Sequence, residues 1–256
     1  MDFKKIVEAE FNQWKENGYC TEAQLLNERV RMDYFDTTNP HFFTGNINSE
    51  LVLIHLNPKR NRPVWNKACD YEDFQSYWHS YEKFGKMHYG RESDKTHRSQ
   101  FDHKQIRFLK PFDILQINGN DKYQNLEKVI DDKLQLELVP YGSPDFSYHK
   151  IGVKNLSPYV DRLLSIILEA PRKYVIFCGR VFEHVLSDYI QDKTTHSFKL
   201  TKKDGLLTKS KFQVINVKID IGGHTVTACI APQFAKQGYP ETQYGSKVKE
   251  LYGVFN

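Results

Sequence analysis

The first place in this chain where chemistry could sit is the end of an apolar run. Leu51-Val-Leu-Ile-His-Leu56 gives way to Asn57-Pro58 and then to Lys59, Arg60 and Arg62. Branched apolar residues closed by a turn signal are the pattern of a buried strand. A strand that runs out into an Asn-Pro turn sets polar groups at the carboxyl edge of a sheet, where ligands bind in open α/β folds. Two later runs end in the same way. Leu134–Pro140 leads into Tyr141-Gly-Ser-Pro with Asp145 and Phe146 just beyond, and Thr225–Ile230 leads into Ala231-Pro232-Gln233. For each run, a core strand followed by a solvated loop is the alternative.

The charged residues are unevenly spread. A net charge of +4 comes from 36 basic and 32 acidic residues, but Lys59-Arg60-Asn61-Arg62 forms one basic knot. Lys202-Lys203 with Lys209 and Lys211 forms a second. Aromatics make up 14% of the chain and crowd into residues 64–110, including Trp65, Tyr77, Trp78 and Tyr81. Cations interleaved with rings suit a nucleic acid, because cations meet phosphates and rings stack on bases. The competing interpretation is a solvated surface over an aromatic core, and helical spacing of the rings favours core. Metal chemistry is disfavoured: Cys20, Cys69, Cys178 and Cys229 form no Cys-x-x-Cys pair, and the histidines form no His-x-x-x-His pair.

These residues need a scaffold, and 256 residues suffice for a single α/β domain with its own core. The periodicity predicts helices at 2–17, from Thr21 to about Phe35, near 70–86, 99–109 and 123–132, from Ser157-Pro158 to 170, at VFEHVLSDYI after Gly179-Arg180, and at 243–251. Strands are expected at 51–56, 113–117, 134–140 and 173–178. A hairpin over 212–219 and 225–230 would turn at Gly222-Gly223. Strands alternating with covering helices imply a mostly parallel sheet sandwiched by helices. N-terminal helices would occupy 1–35, and a helical, aromatic-rich insertion 64–110. No apolar run is long enough to span a membrane and no signal-peptide core is present, so the expected address is the cytoplasm.

The three strand ends together resemble the uracil-DNA glycosylase superfamily, above all its mismatch-directed and single-strand-selective branches. His55-Leu56-Asn57-Pro58-Lys59 matches the Leu-Asn-Pro centre of that family's first motif, VIFCGRVFEHVL its strand–Gly–helix unit, and ACIAPQFAKQG its final loop. The similarity spans about residues 48–240 and implies the family's α/β fold, with DNA as partner and no cofactor, metal or obligatory protein partner. It further implies hydrolysis of the N-glycosidic bond of a flipped base, leaving an abasic site. On this resemblance Asn57 aligns the attacking water and Asp145 is the candidate acid. Leu56, Pro58, Glu137, Tyr141, Ser143 and Phe146 would surround the base. Lys59, Arg60 and Arg62 would hold phosphates, with Gln233, Phe234 and Lys236 as the wedge loop. The family's flanking glycines are replaced by His55 and Lys59, and Ala231 stands where relatives carry a histidine. These departures point away from plain uracil and toward a modified base. Some bacterial relatives excise glucosylated hydroxymethylcytosine from phage DNA in defence, and that substrate would need a roomy pocket, which the insertion could line. A repair glycosylase for uracil or another damaged base, and a non-catalytic nucleic-acid-binding module, are the alternatives.

Overall fold

The computed structural model describes residues 2–38, 40–59, 70–89, 99–113, 122–202, 204–232 and 240–255. Its strands are β1 (Phe43–Gly45), β2 (Leu51–His55), β3 (Leu134–Glu137), β4 (Tyr174–Cys178), β5 (Ile190–Phe198), β6 (Phe212–Ile221) and β7 (His224–Ala231). They form one sheet in the order β1-β3-β2-β4-β7-β6-β5. The four central strands, β3, β2, β4 and β7, run parallel. Antiparallel strands flank them, β1 on one side and β6 with β5 on the other.

Among the described residues the helices are α1 (Phe3–Asn17), α2 (Thr21–Val30), α3 (Phe74–Glu82), α4 (Phe84–Tyr89) and α5 (Gln100–Leu109). They continue with α6 (Lys122–Asp132), α7 (Tyr148–Ile151), α8 (Val153–Leu168), α9 (Phe182–Val185) and α10 (Glu241–Phe255). β2 and β4 read as nearly unbroken apolar runs because both of their faces are covered. Val52 and Ile54 of β2 enter one core with Phe11 of α1, Trp78 of α3 and Leu163 of α8. Leu51 and Leu53 enter a second core with Phe108 of α5 and Tyr244 of α10. The sheet is therefore sandwiched by helices, as its alternating strand positions require. Among the described residues no helix is long and apolar enough to cross a membrane.

Several sequence expectations are corrected. The second helix ends at Val30, not near Phe35, with Arg31 in the left-handed region at φ 55°. Asn27 holds the reversal: its Oδ1 accepts from the Tyr34 and Phe35 amides at 3.1 and 2.8 Å, and its Nδ2 donates to the Phe35 carbonyl at 2.9 Å. Helix α8 starts at Val153 after Gly152, so Pro158 lies inside it and does not open it. The expected helix after Gly179 is a single turn, α9, and the chain then enters β5, which the sequence reading missed. β5 is exposed along most of its length, so it carries little of the apolar alternation by which strands are recognised. The hairpin at Gly222-Gly223 forms as expected, with both glycines at positive φ, 59° and 88°. Asp113 is in a turn, and the rest of the strand expected at 113–117 lies outside the described residues.

The described rings of the aromatic-rich insertion are core, as their helical spacing favours. Phe74, Tyr77, Trp78 and Tyr81 are all buried. Phe11 and Tyr77 have ring centroids 4.9 Å apart, and Phe43 and Trp78 4.5 Å apart. These rings fasten α1 and α3 onto the sheet edge and leave no face to line a pocket. Trp65 lies outside the described residues.

Candidate functional site

The parallel core has a direction change built into its order. The chain forms β2, crosses to β3 on one side, and then returns to β4 on the other. A crevice opens outside the carboxyl ends of strands at such a switch point, and ligands bind there in open α/β sheets. The turn after β2 is therefore placed where a ligand site belongs.

The β2–β3 pairing does not stop where the strands end. The Leu138 amide donates to the His55 carbonyl at 2.9 Å, Val139 to Leu56 at 3.0 Å, and Ser143 to Pro58 at 3.2 Å. Lys59 and Ser143 add an isolated parallel bridge, so the two loops run side by side. Within this ladder the Asn57 side chain is clamped. Its Nδ2 donates to the Tyr141 carbonyl at 3.0 Å and to Ser143 Oγ at 2.8 Å. Ser143 Oγ in turn donates to the Asp145 carbonyl. With both amide hydrogens committed, the group Asn57 can present is the acceptor Oδ1. The Tyr34 hydroxyl lies 2.7 Å from the Asp145 carbonyl and 2.9 Å from Oδ1 of its carboxylate. Burial, reinforced by Asp145, pushes the Tyr34 phenol up to about 12. Lys150 Nζ stands 3.7 Å from the other Asp145 carboxylate oxygen.

Beneath this edge lies a buried polar lattice. Lys133, Gln135 and Glu137 alternate along the segment entering and forming β3, so they share one face, and β2 brings His55 into register with Glu137. All four are buried. Lys133 Nζ and Gln105 Nε2 of α5 both donate to Gln135 Oε1, at 3.1 and 3.0 Å. Lys133 can only donate, so it fixes which end of the Gln135 amide faces it. Gln135 Nε2 is thereby turned to Glu137 Oε1 at 2.9 Å. Glu137 Oε2 is buried with no hydrogen-bond partner among the described residues. Burial pushes the Glu137 carboxyl up to about 8, against the opposing pull of Gln135 and Lys133. Burial also pulls the Lys133 ammonium down to about 8 and the His55 imidazole down to about 3. The His55 ring meets Phe101 edge-on, with centroids 5.1 Å apart. Glu137 is thus an acid that keeps its proton near neutral pH.

The structure brings Asn57, Ser143 and the Tyr141 backbone into one unit, with Lys59 alongside and exposed. It leaves other expected residues apart. The Tyr141 ring is fully buried in the core, its hydroxyl 3.2 Å from Glu10, so it has no open face for stacking; it lends its backbone carbonyl instead. Leu56 is also buried in the core, Phe146 is half-buried against it, and Pro58 is half-buried. The Asp145 side chain is mostly exposed and already engaged by Tyr34 and Lys150. Arg60, Arg62, Gln233, Phe234 and Lys236 lie outside the described residues. Sequence reasoning missed Gln105, Lys133, Gln135, Tyr34 and Lys150. The signal for two of them was the alternation in Lys133-Leu-Gln-Leu-Glu137, which reads as a wet strand face. Neither a family model nor a curated protein matches this sequence.

Proposed function

We propose that this protein is a monofunctional DNA glycosylase that hydrolyses the N-glycosidic bond of a flipped, modified base and leaves an abasic site. The observation that carries the reading is the clamped Asn57 carboxamide at the switch-point edge. Its fixed Oδ1 is an acceptor suited to orienting a water toward the sugar carbon. Glycosidic cleavage passes through an oxocarbenium-like sugar, so an oriented water suffices once the base begins to depart.

The departing base needs a proton, above all a cytosine-type base, which leaves poorly as an anion. Glu137 fits this part better than Asp145. It is buried one strand away and two positions below Asn57, about 7 Å at strand rise. Its carboxyl keeps its proton up to about pH 8. Lys133 and Gln135 act as positioning residues that hold Glu137 Oε1, and Oε2 is the oxygen left unpaired to carry the proton. Excision of a glucosylated hydroxymethylcytosine in phage defence is the substrate reading that the sequence resemblance suggests.

The test is incubation with duplexes carrying uracil, hypoxanthine, hydroxymethylcytosine or its glucosylated form, followed by alkali to cut abasic sites. Strand breaks at a modified cytosine are the expected result. Breaks at uracil alone would remove the modified-base reading. Binding without breaks at any base would leave a non-catalytic DNA-binding module.

A further inference from the structure

The connection between β5 and β6, Lys199 to Lys211, carries five lysines against one aspartate. That surplus of four equals the formal net charge of the whole chain, so the remaining residues balance. Its position follows from the topology. β7 runs parallel to β4 and β2, β6 runs against β7, and β5 against β6. β5 therefore ends, and β6 begins, at the carboxyl edge of the parallel strands. The connection rises from the same edge as Asn57 and Lys59.

It is a built element. Leu200 is buried in the core shared by α5 and α10. Thr208 donates its amide to the Leu200 carbonyl at 2.7 Å, and the Leu200 amide returns to Thr208 Oγ1 at 3.1 Å. The Thr201 amide donates to Gln243 of α10 at 3.0 Å. A tight turn closes the tip, where the Gly205 amide meets the Lys202 carbonyl at 3.0 Å with Gly205 at φ 81°. The Leu206 amide is fixed on Asp204 at 3.0 Å. On this braced tip Leu206 and Leu207 are 62% and 59% exposed. Lys199, Lys209 and Lys211 are exposed around them.

Holding two adjacent leucines in water forgoes the stabilisation that burial would give them. A partner that is anionic outside and apolar within would recover it, and a DNA duplex is built that way. Lysines neutralise phosphates, while apolar side chains press between base steps and unstack them. An anionic lipid surface has the same layering, but the connection shares its edge with the site proposed to act on a flipped base. We infer that Lys199–Lys211 is a duplex-contacting arm whose exposed Lys199, Lys209 and Lys211 grip the backbone and whose Leu206-Leu207 tip wedges into the stack. The inference rests on the glycosylase reading for the identity of the partner alone.

The full chain is titrated onto a fluorescein-labelled duplex holding a fluorescent adenine analogue beside a mismatch, over a series of salt concentrations. Lys209→Gln and Lys211→Gln each weaken binding and reduce the slope of log affinity against log salt by about 1. The double variant Leu206→Ser, Leu207→Ser keeps that slope, binds about tenfold more weakly, and loses the rise in analogue fluorescence that reports unstacking. All four side chains are exposed, so melting temperatures stay at the wild-type value. Variants that bind and unstack like the wild type overturn the arm. So does a wild-type chain that ignores the duplex, or one that uses these residues to bind phosphatidylserine vesicles instead. Loss of duplex binding in the variants, with no excision of any base by the wild type, sustains the arm and sinks the glycosylase reading. Undiminished binding and excision by the variants does the reverse.

Discussion

At the scale of single residues, the site depends on which end of each amide faces inward. Asn57 presents Oδ1 because its two N–H groups are held by Tyr141 and Ser143. Asn57→Ala removes the acceptor, and excision by the full chain is expected to fall by about 100-fold, the scale of a mispositioned reactant. Ser143→Ala removes one of the two ties while the Tyr141 carbonyl keeps the other. Its loss should be about fivefold, as for one net hydrogen bond of about 1 kcal/mol. Single-turnover rates read both, and full activity in Asn57→Ala would falsify the water-positioning role. Glu137 gives a second test, by pH. Its folded pKa of about 8 lies above the ordinary 4.5, so the native state holds this proton more tightly than the unfolded chain. The stability it contributes is complete below 4.5 and is lost as pH rises through about 8. Glu137→Gln cannot titrate, so its melting temperature should decline less than the wild type's between those limits. If Glu137 is the proposed acid, the excision rate should fall in the wild type above about pH 8. A wild-type melting curve parallel to that of Glu137→Gln across this window would refute the buried, protonated carboxyl.

At the scale of elements, the site is a product of how strands and helices are stacked. The sequence disclosed β2, β3, β4 and the β6–β7 hairpin because their apolar runs and turns are local signals. It disclosed Asn57 because an asparagine before proline at a strand end is also local. The lattice of Lys133, Gln135 and Glu137 was visible only as an alternation, which in an isolated strand means water on that face. The strand order overrides this: β1 and β2 flank β3, α5 lays Gln105 over the face, and the alternation becomes a buried network. The rings of α3 were legible as core for the converse reason, since their helical spacing marks one face and α1 and β1 are what that face meets. The seat of α5 is itself testable. Gly245 of α10 lies against α5 so closely that an added Cβ would stand 1.9 Å from the Phe108 carbonyl oxygen. Gly245→Ala must push α5 and α10 apart and should cost about 1–3 kcal/mol of stability, as overpacking does. A denaturant midpoint shows the loss, and an unchanged midpoint would mean that the two helices do not bear on each other as described. Because Gln105 rides on α5, the same variant should also shift the pH dependence set by Glu137.

At the scale of the whole molecule, the sheet divides into a covered parallel centre and an antiparallel flank that reaches out past its helices. β2 and β4 are buried along their full length, whereas β5 is exposed along most of its own. Local stability follows buried apolar contact, so the two regions should open at different free energies. Native-state hydrogen exchange is expected to protect the amides of β2 and β4 up to the global unfolding limit. Those of β5 should exchange through a smaller opening that leaves the centre intact. This division suits the proposed function, in which a reacting group is held still while a long, deformable duplex is gripped. On that reading the buried centre fixes Asn57 two positions above the His55–Glu137 pair, and the flank supplies reach at the same edge. Adding the labelled duplex should therefore slow exchange in the β5–β6 connection and leave the β2 and β4 amides at their global rate. Equal protection of β5 and β2 in the free protein would show one cooperative sheet, and the separation of grip from chemistry would have to be abandoned.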